Sequence, residues 1–149
     1  MIEEWNKISL RPYRAVTFTS FDRKGHIIYH TDCMMTLLHD HAVVCITTIK
    51  EKKERKNLMI ELTNPPLNEK PYSILELDRL EIEGMCANMF NLVDQEGRNT
   101  VVMSDRARRT YDPDHFAELK ENYKVIVANI DIIEHVGGGS TRCMLAEKF

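Results

Sequence analysis

The residues of this sequence best equipped for chemistry are Cys143, in "HVGGGSTRCM", and the pair His30 and Asp32, in "IIYHTDCMM". A thiolate is a soft nucleophile, and an imidazole exchanges protons near neutral pH. A carboxylate beside the imidazole would either orient it or bind a cation. If this stretch is a strand, its two-residue period puts Ile28, His30, Asp32 and Met34 on one face and Tyr29, Thr31 and Cys33 on the other. Two readings fit that face: a partly solvated edge, or an acid/base group with a charged neighbour. Gly137, Gly138 and Gly139 precede the cysteine. Glycine admits torsions and close approaches that other residues forbid, which suits a loop wrapped over a ligand, with Gly138 and Gly139 against it. A flexible loop beside a structural cysteine is the alternative.

The elements that must position these residues occur in one order twice. "HIIYHTDCMMTLL" and "HAVVCITTI" read as strands, "EKKERKNLMIELTN" as a helix and "YSILELD" as a third strand. After a turn at Glu83 and Gly84 come "CANMFNLVD", the hairpin turn "QEGRN", "TVVMS", a helix and the strand "KVIVANIDII". Asp112 and Pro113 supply an N-cap and a first-turn proline for that helix, "DPDHFAELKENY". A third unit opens with "STRCMLAEKF", read as a strand presenting Cys143. His30, Asn88 and Cys143 are spaced by 58 and 55 residues, so one polar or reactive residue per unit is expected at a common centre.

Composition narrows the classes of function. A chain of 149 residues, 43% hydrophobic, suffices for a single domain with a core, taken as residues 1–149. With 20 basic and 23 acidic residues the formal charge is -3, which offers no field for nucleic acid or an anionic membrane. No apolar run approaches a membrane span, and "MIEEWNKISL" has acids where a signal peptide needs bases. The expectation is a cytoplasmic protein with a small polar ligand. Cys33, Cys45, Cys86 and Cys143 are far apart without a CxxC pair, so free thiols are expected rather than a disulfide framework or zinc ribbon.

The stretches "IIYHTDCMMTL", "HAVVCITTIK", "CANMF", "VVMS" and "IEHVGGGSTRCMLAE" together resemble the C-terminal half of an amidinotransferase-like protein of the citrulline-utilization type. That group lies in the guanidino-group-modifying superfamily of arginine deiminases, dimethylarginine hydrolases and amidinotransferases, and the resemblance runs from about Leu10 to Phe149. It implies an α/β fold: part of a five-bladed pseudo-symmetric propeller (the pentein fold) of ββαβ units, about half of the whole. It also implies Cys143 as nucleophile and His30 as catalytic histidine. Asp32 matches the acid of the H-x-D motif, and Asn88 falls on a "GN" position where Ala87 replaces the glycine. Asp32, Asn88, Gly138 and Gly139 are the expected substrate-binding residues.

The implied chemistry is thiolate attack on a guanidinium carbon, proton donation to the departing amine, and release of a covalent Cys143 intermediate by water or a second amine. The substrate is arginine or a related guanidino or ureido compound, and no cofactor is needed. A buried guanidinium requires at least one carboxylate. In full-length members, further acids lie upstream of the segment matching "YRAVTFTSFD". A partner chain or a homo-oligomer is therefore expected to complete the site; an inactive fragment or binding subunit is the alternative. The remaining features read as surface. "KEKKERK" alternates in sign at a helix start, and "RARR" at Arg106 to Arg109 suits a surface turn. Trp5 is expected to cover an edge. His26, His39, Asp40 and His41 match no metal-ligand spacing, and no metal is expected.

Overall fold

The computed structural model describes residue 4, residues 7 and 8, and residues 14–65 and 70–146. Trp5 and the ends of the resemblance at Leu10 and Phe149 lie outside the described residues. Two ββαβ units follow one another in this mixed α/β structure. In the first, β1 (Met35–Leu37) pairs antiparallel with β2 (His41–Val44), and β2 pairs parallel with β3 (Ser73–Glu76) after the crossover helix α1 (Lys52–Thr63). In the second, β4 (Phe90–Val93) and β5 (Asn99–Ser104) form the antiparallel pair, α3 (Asp105–Thr110) and α4 (Pro113–Asn122) make the crossover, and β6 (Lys124–Ala128) lies parallel to β5. Short helices follow each unit: α2 (Arg79–Glu83) after β3, then α5 (Asp131–Gly137) and α6 (Thr141–Met144) after β6.

Local chemistry explains most of these elements. Glu51 caps α1 through Lys53 N, and Leu58 and Leu62, one turn apart, are its buried residues. Asp112 accepts from Asp114 N and Pro113 occupies the first turn of α4. Asp78 and Glu81 close a reciprocal capping box on α2. Ser104 ends β5 and caps α3 through Ala107 N.

The core is built from the two faces of the central strands. Ala42 and Val44 of β2 face a cluster with Met34, Ile49, Leu58 and Leu62 under α1. Val43 points the other way, into a cluster where Leu75 and Leu77 of the first unit meet Met89, Val101, Met103 and Leu119 of the second. Tyr123 reinforces this junction: its hydroxyl lies 2.9 Å from His41 Nδ1 and accepts from Asp40 N at 3.1 Å.

Several expectations need correction. The long strand expected from His26 to Leu38 is reduced to β1, because Thr31–Cys33 form a 3₁₀ turn in which Cys33 N donates to His30 O and Met34 N to Thr31 O. The two-residue alternation of His30 and Asp32 against Cys33 is therefore absent. Residues Thr141–Met144 are helical, so no strand presents Cys143. Glu83 ends α2 and the expected turn begins at Gly84, whereas Arg106, Arg108 and Arg109 lie on α3, where Asp105 pairs with Arg108 and Arg109. Among the described residues no helix is long and apolar enough to cross a membrane.

Candidate active site

Three chain segments deliver one polar residue each to a common point. Asp32 sits in the 3₁₀ turn before β1, Asn88 lies two residues before β4, and Cys143 is in α6. Asn88 Nδ2 donates to Asp32 Oδ2 at 3.1 Å and to Cys143 Sγ at 3.1 Å. The Cys143 thiol reaches the same carboxylate oxygen at 3.4 Å. The three residues stand 56 and 55 positions apart in sequence, so the spacing of the two units carries the meeting.

Asn88 is the organiser, fully buried with every polar group engaged. Its Oδ1 accepts from Arg142 N at 3.0 Å, and its carbonyl accepts from Thr141 Oγ1 at 2.9 Å. Thr141 also donates to Val102 O of β5 at 3.1 Å, which pins α6 to the second sheet. The glycine stretch sets the height of the sulfur. Gly138 ends α5 with φ of 73°, left-handed backbone that favours glycine. A Cβ on Gly139 would stand 2.8 Å from Cys143 Cβ, so residue 139 must lack a side chain for the cysteine to occupy its place.

Not every expected residue joins the cluster. His30 is exposed, and no hydrogen bond of its ring is found among the described residues; it stands two positions from Asp32, at the start of the same turn. Gly138 shapes the helix end, and Gly139 lies against Cys143 itself. Cys33 approaches Asp32 Oδ1 at 3.9 Å, on the opposite oxygen from Cys143. Its thiol is pushed up to about 11, chiefly by burial and further by the charges of Asp32 and Cys143. Burial likewise raises the thiols of Cys45 and Cys86. All four cysteines are free and Cys143 is the exposed one. Among the described residues no group of His, Cys, Asp and Glu could hold a metal ion.

An open cavity of about 370 Å³ adjoins the cluster, with Asp32, Thr36, Met89, Asn91 and Arg142 in its wall. Arg142 also lies over the Phe90 ring, its guanidinium carbon 5.1 Å from the centroid. Asn91 Oδ1 is buried without a hydrogen-bond partner. Sequence reasoning missed Asn91, whose residue type and position in a strand carry no signal of a cavity. Asp32 and Arg142 give the cavity charges of both signs, and a sulfur stands at the carboxylate. Such a site suits a small zwitterion with a cationic group presented to a nucleophile.

A family model described as N,N dimethylarginine dimethylhydrolase, eukaryotic, matches residues 2–149. No curated protein and no solved structure matches the chain. The match falls on the dimethylarginine hydrolases of the guanidino-modifying superfamily, whereas the sequence comparison pointed to its amidinotransferase-like, citrulline-utilization branch.

Proposed function

The chain belongs to the N,N-dimethylarginine dimethylhydrolase family, and on that footing we propose that it hydrolyses the guanidino group of a methylated arginine through a covalent Cys143 intermediate. The observation that carries this reading is the three-way contact of Cys143 Sγ, Asn88 Nδ2 and Asp32 Oδ2. The Asn88 amide and the Asp32 carboxylate act on a charge at sulfur in opposite directions. A guanidinium seated on Asp32 removes the conflict: it neutralises the carboxylate and places its carbon beside the sulfur. Asn88 then remains as a donor to the thiolate.

The steps balance as a hydrolysis. The Cys143 thiolate bonds to the guanidinium carbon; the C–N bond to dimethylamine breaks, and His30 supplies the departing amine with its proton. Water adds to the same carbon, giving one proton back to His30 and the other, through solvent, to the released amine, which becomes dimethylammonium; the C–S bond then breaks, leaving a ureido product and the free thiolate. Arg142 suits the substrate carboxylate, and the unbonded Asn91 Oδ1 suits its ammonium group. An amine in place of water would make the same intermediate an amidino donor, the second reading of the site.

Asp32 is the only carboxylate in contact with the Cys143 sulfur among the described residues. A buried guanidinium calls for more than one such partner, and His30 for an orienting group. The two ββαβ units are accordingly read as part of a five-bladed pseudo-symmetric propeller whose remaining polypeptide, in a cytoplasmic setting suited to free thiols, supplies them. Turnover of a dimethylated arginine, followed by release of dimethylamine, tests the reading. The chain alone should be slower by at least about a hundredfold than the completed propeller, since an unpaired buried charge costs about 3 to 5 kcal/mol. Cys143→Ala should abolish turnover in either setting and Cys45→Ala should preserve it. Turnover indifferent to Cys143 would overturn the assignment.

A further inference from the structure

The segment running from β3 through α2 recurs from β6 through α5. Leu77-Asp78-Arg79-Leu80-Glu81 is matched 53 residues on by Ile130-Asp131-Ile132-Ile133-Glu134, and Gly84 by Gly137. In the first copy, the helix is covered by the corner between α3 and α4 of the following unit. A Cβ on Gly84 would lie 2.3 Å from Thr110 Cγ2, at the end of α3. Glu81, 2% exposed, accepts from Asp112 N at 3.0 Å and pairs with His115 Nδ1 at 2.9 Å, both at the start of α4.

In the second copy none of the equivalent partners is present among the described residues. Nothing lies within 4 Å of a Cβ placed on Gly137. Glu134 is 3% exposed, yet neither carboxylate oxygen has a hydrogen-bond partner. Where α2 has Arg79, whose guanidinium donates to the carbonyls of Phe21 and Asp22, and Glu83, which pairs with Arg23, α5 has Ile132 and Val136, each 81% exposed and one turn apart. Met144 follows Cys143 as Met89 follows Asn88, but Met89 is fully buried and Met144 is 40% exposed.

We infer that the α5 face is a docking surface for the helix corner of a further ββαβ unit, whose helix N-terminus and third-position donor meet Glu134. The inference rests on the reading of the chain as part of a larger propeller, and it extends to α5 the interface already formed on α2. A second copy of this chain does not fit the role. Its α4 corner is already held by its own Glu81, and its α1 carries Glu54 where α4 carries His115, which would set carboxylate against carboxylate.

Two measurements on the full chain test this. In thermal unfolding, Glu134→Gln should raise the melting temperature, because it removes a buried charge without a partner, whereas Glu81→Gln should lower it. An N-acetylated synthetic peptide of residues 112–123, a free stand-in for the helix corner, is then titrated against isotope-labelled chain by NMR. Shifts should concentrate in residues 130–137 and 144–146. Binding should weaken by about tenfold with Glu134→Gln in the chain or with alanine at the peptide's third helical position. The proposal is overturned if Glu134→Gln destabilises as Glu81→Gln does. It is equally overturned if the peptide shifts other residues, shifts none, or ignores Glu134→Gln, or if the chain is a dimer that Val136→Lys dissociates. None of these readouts passes through Cys143, so their failure leaves the catalytic reading to be judged by turnover.

Discussion

A Cβ on residue 139 would stand 2.8 Å from the Cβ of Cys143 and 3.0 Å from its sulfur. The glycine is thus a steric condition for the position of the Cys143 sulfur. Gly139→Ala should displace α6, cost about 1 to 3 kcal/mol of stability and slow thiol labelling of Cys143. Gly137→Ala, with open space around its Cβ, should change neither. Unfolding curves and labelling rates for the two variants provide the check.

Asn88 holds three partners from a fully buried position. Asn88→Ala leaves Arg142 N without its acceptor and should cost about 1 to 3 kcal/mol. Asn88→Asp keeps that acceptor but sets a second carboxylate beside Asp32 and the sulfur. Its labelling rate at neutral pH should fall below wild type, with the pH dependence of labelling displaced upward. Denaturant titration separates the first effect from the second.

Cys33 and Cys143 flank opposite oxygens of one carboxylate yet should differ in reactivity. The Cys33 thiol is raised to about 11 by burial and by its charged neighbours, so it stays protonated near neutral pH. Cys143 is exposed. Peptide mapping after brief alkylation at pH 7.5 should find Cys143 modified first, with Cys33 catching up only as the pH approaches 11.

His115 gives a pH signature of the fold. Burial alone would lower its pKa, but the Glu81 carboxylate outweighs this and the net shift is upward from 6.5. A raised folded-state value contributes stability that is fully present below 6.5 and is lost as pH climbs through the folded value. The melting-temperature difference between wild type and His115→Gln should accordingly be largest below pH 6 and shrink above neutrality.

The features legible in the sequence were those fixed locally. The ββαβ order follows from alternating apolar runs and from the Asp112-Pro113 cap, and the structure repeats it twice with the same pairing. The single-strand reading of residues 26–38 failed at Thr31–Cys33, where the backbone bonds of Cys33 and Met34 close a turn that apolar spacing does not reveal. Residues 141–144 look like a strand by composition. Their helix depends on Thr141 reaching Asn88 O and Val102 O, contacts 53 and 39 residues distant. The equivalence of Asp78–Glu81 with Asp131–Glu134 was readable, but its meaning required knowing which carboxylate was satisfied.

The central claim, that Cys143 attacks a cationic carbon held by Asp32, is tested most directly by comparing two alkylators of one shape. Chloroacetamidine carries a guanidinium-like charge and chloroacetamide does not. Measured by mass spectrometry on the chain as it stands, labelling of Cys143 should favour the cation by about tenfold beyond the ratio for a free thiol, as a charge-assisted pair of about 1.4 kcal/mol predicts. Asp32→Asn should erase that preference while leaving chloroacetamide labelling intact. A wild-type ratio equal to that of a free thiol, or one unchanged by Asp32→Asn, would contradict the account.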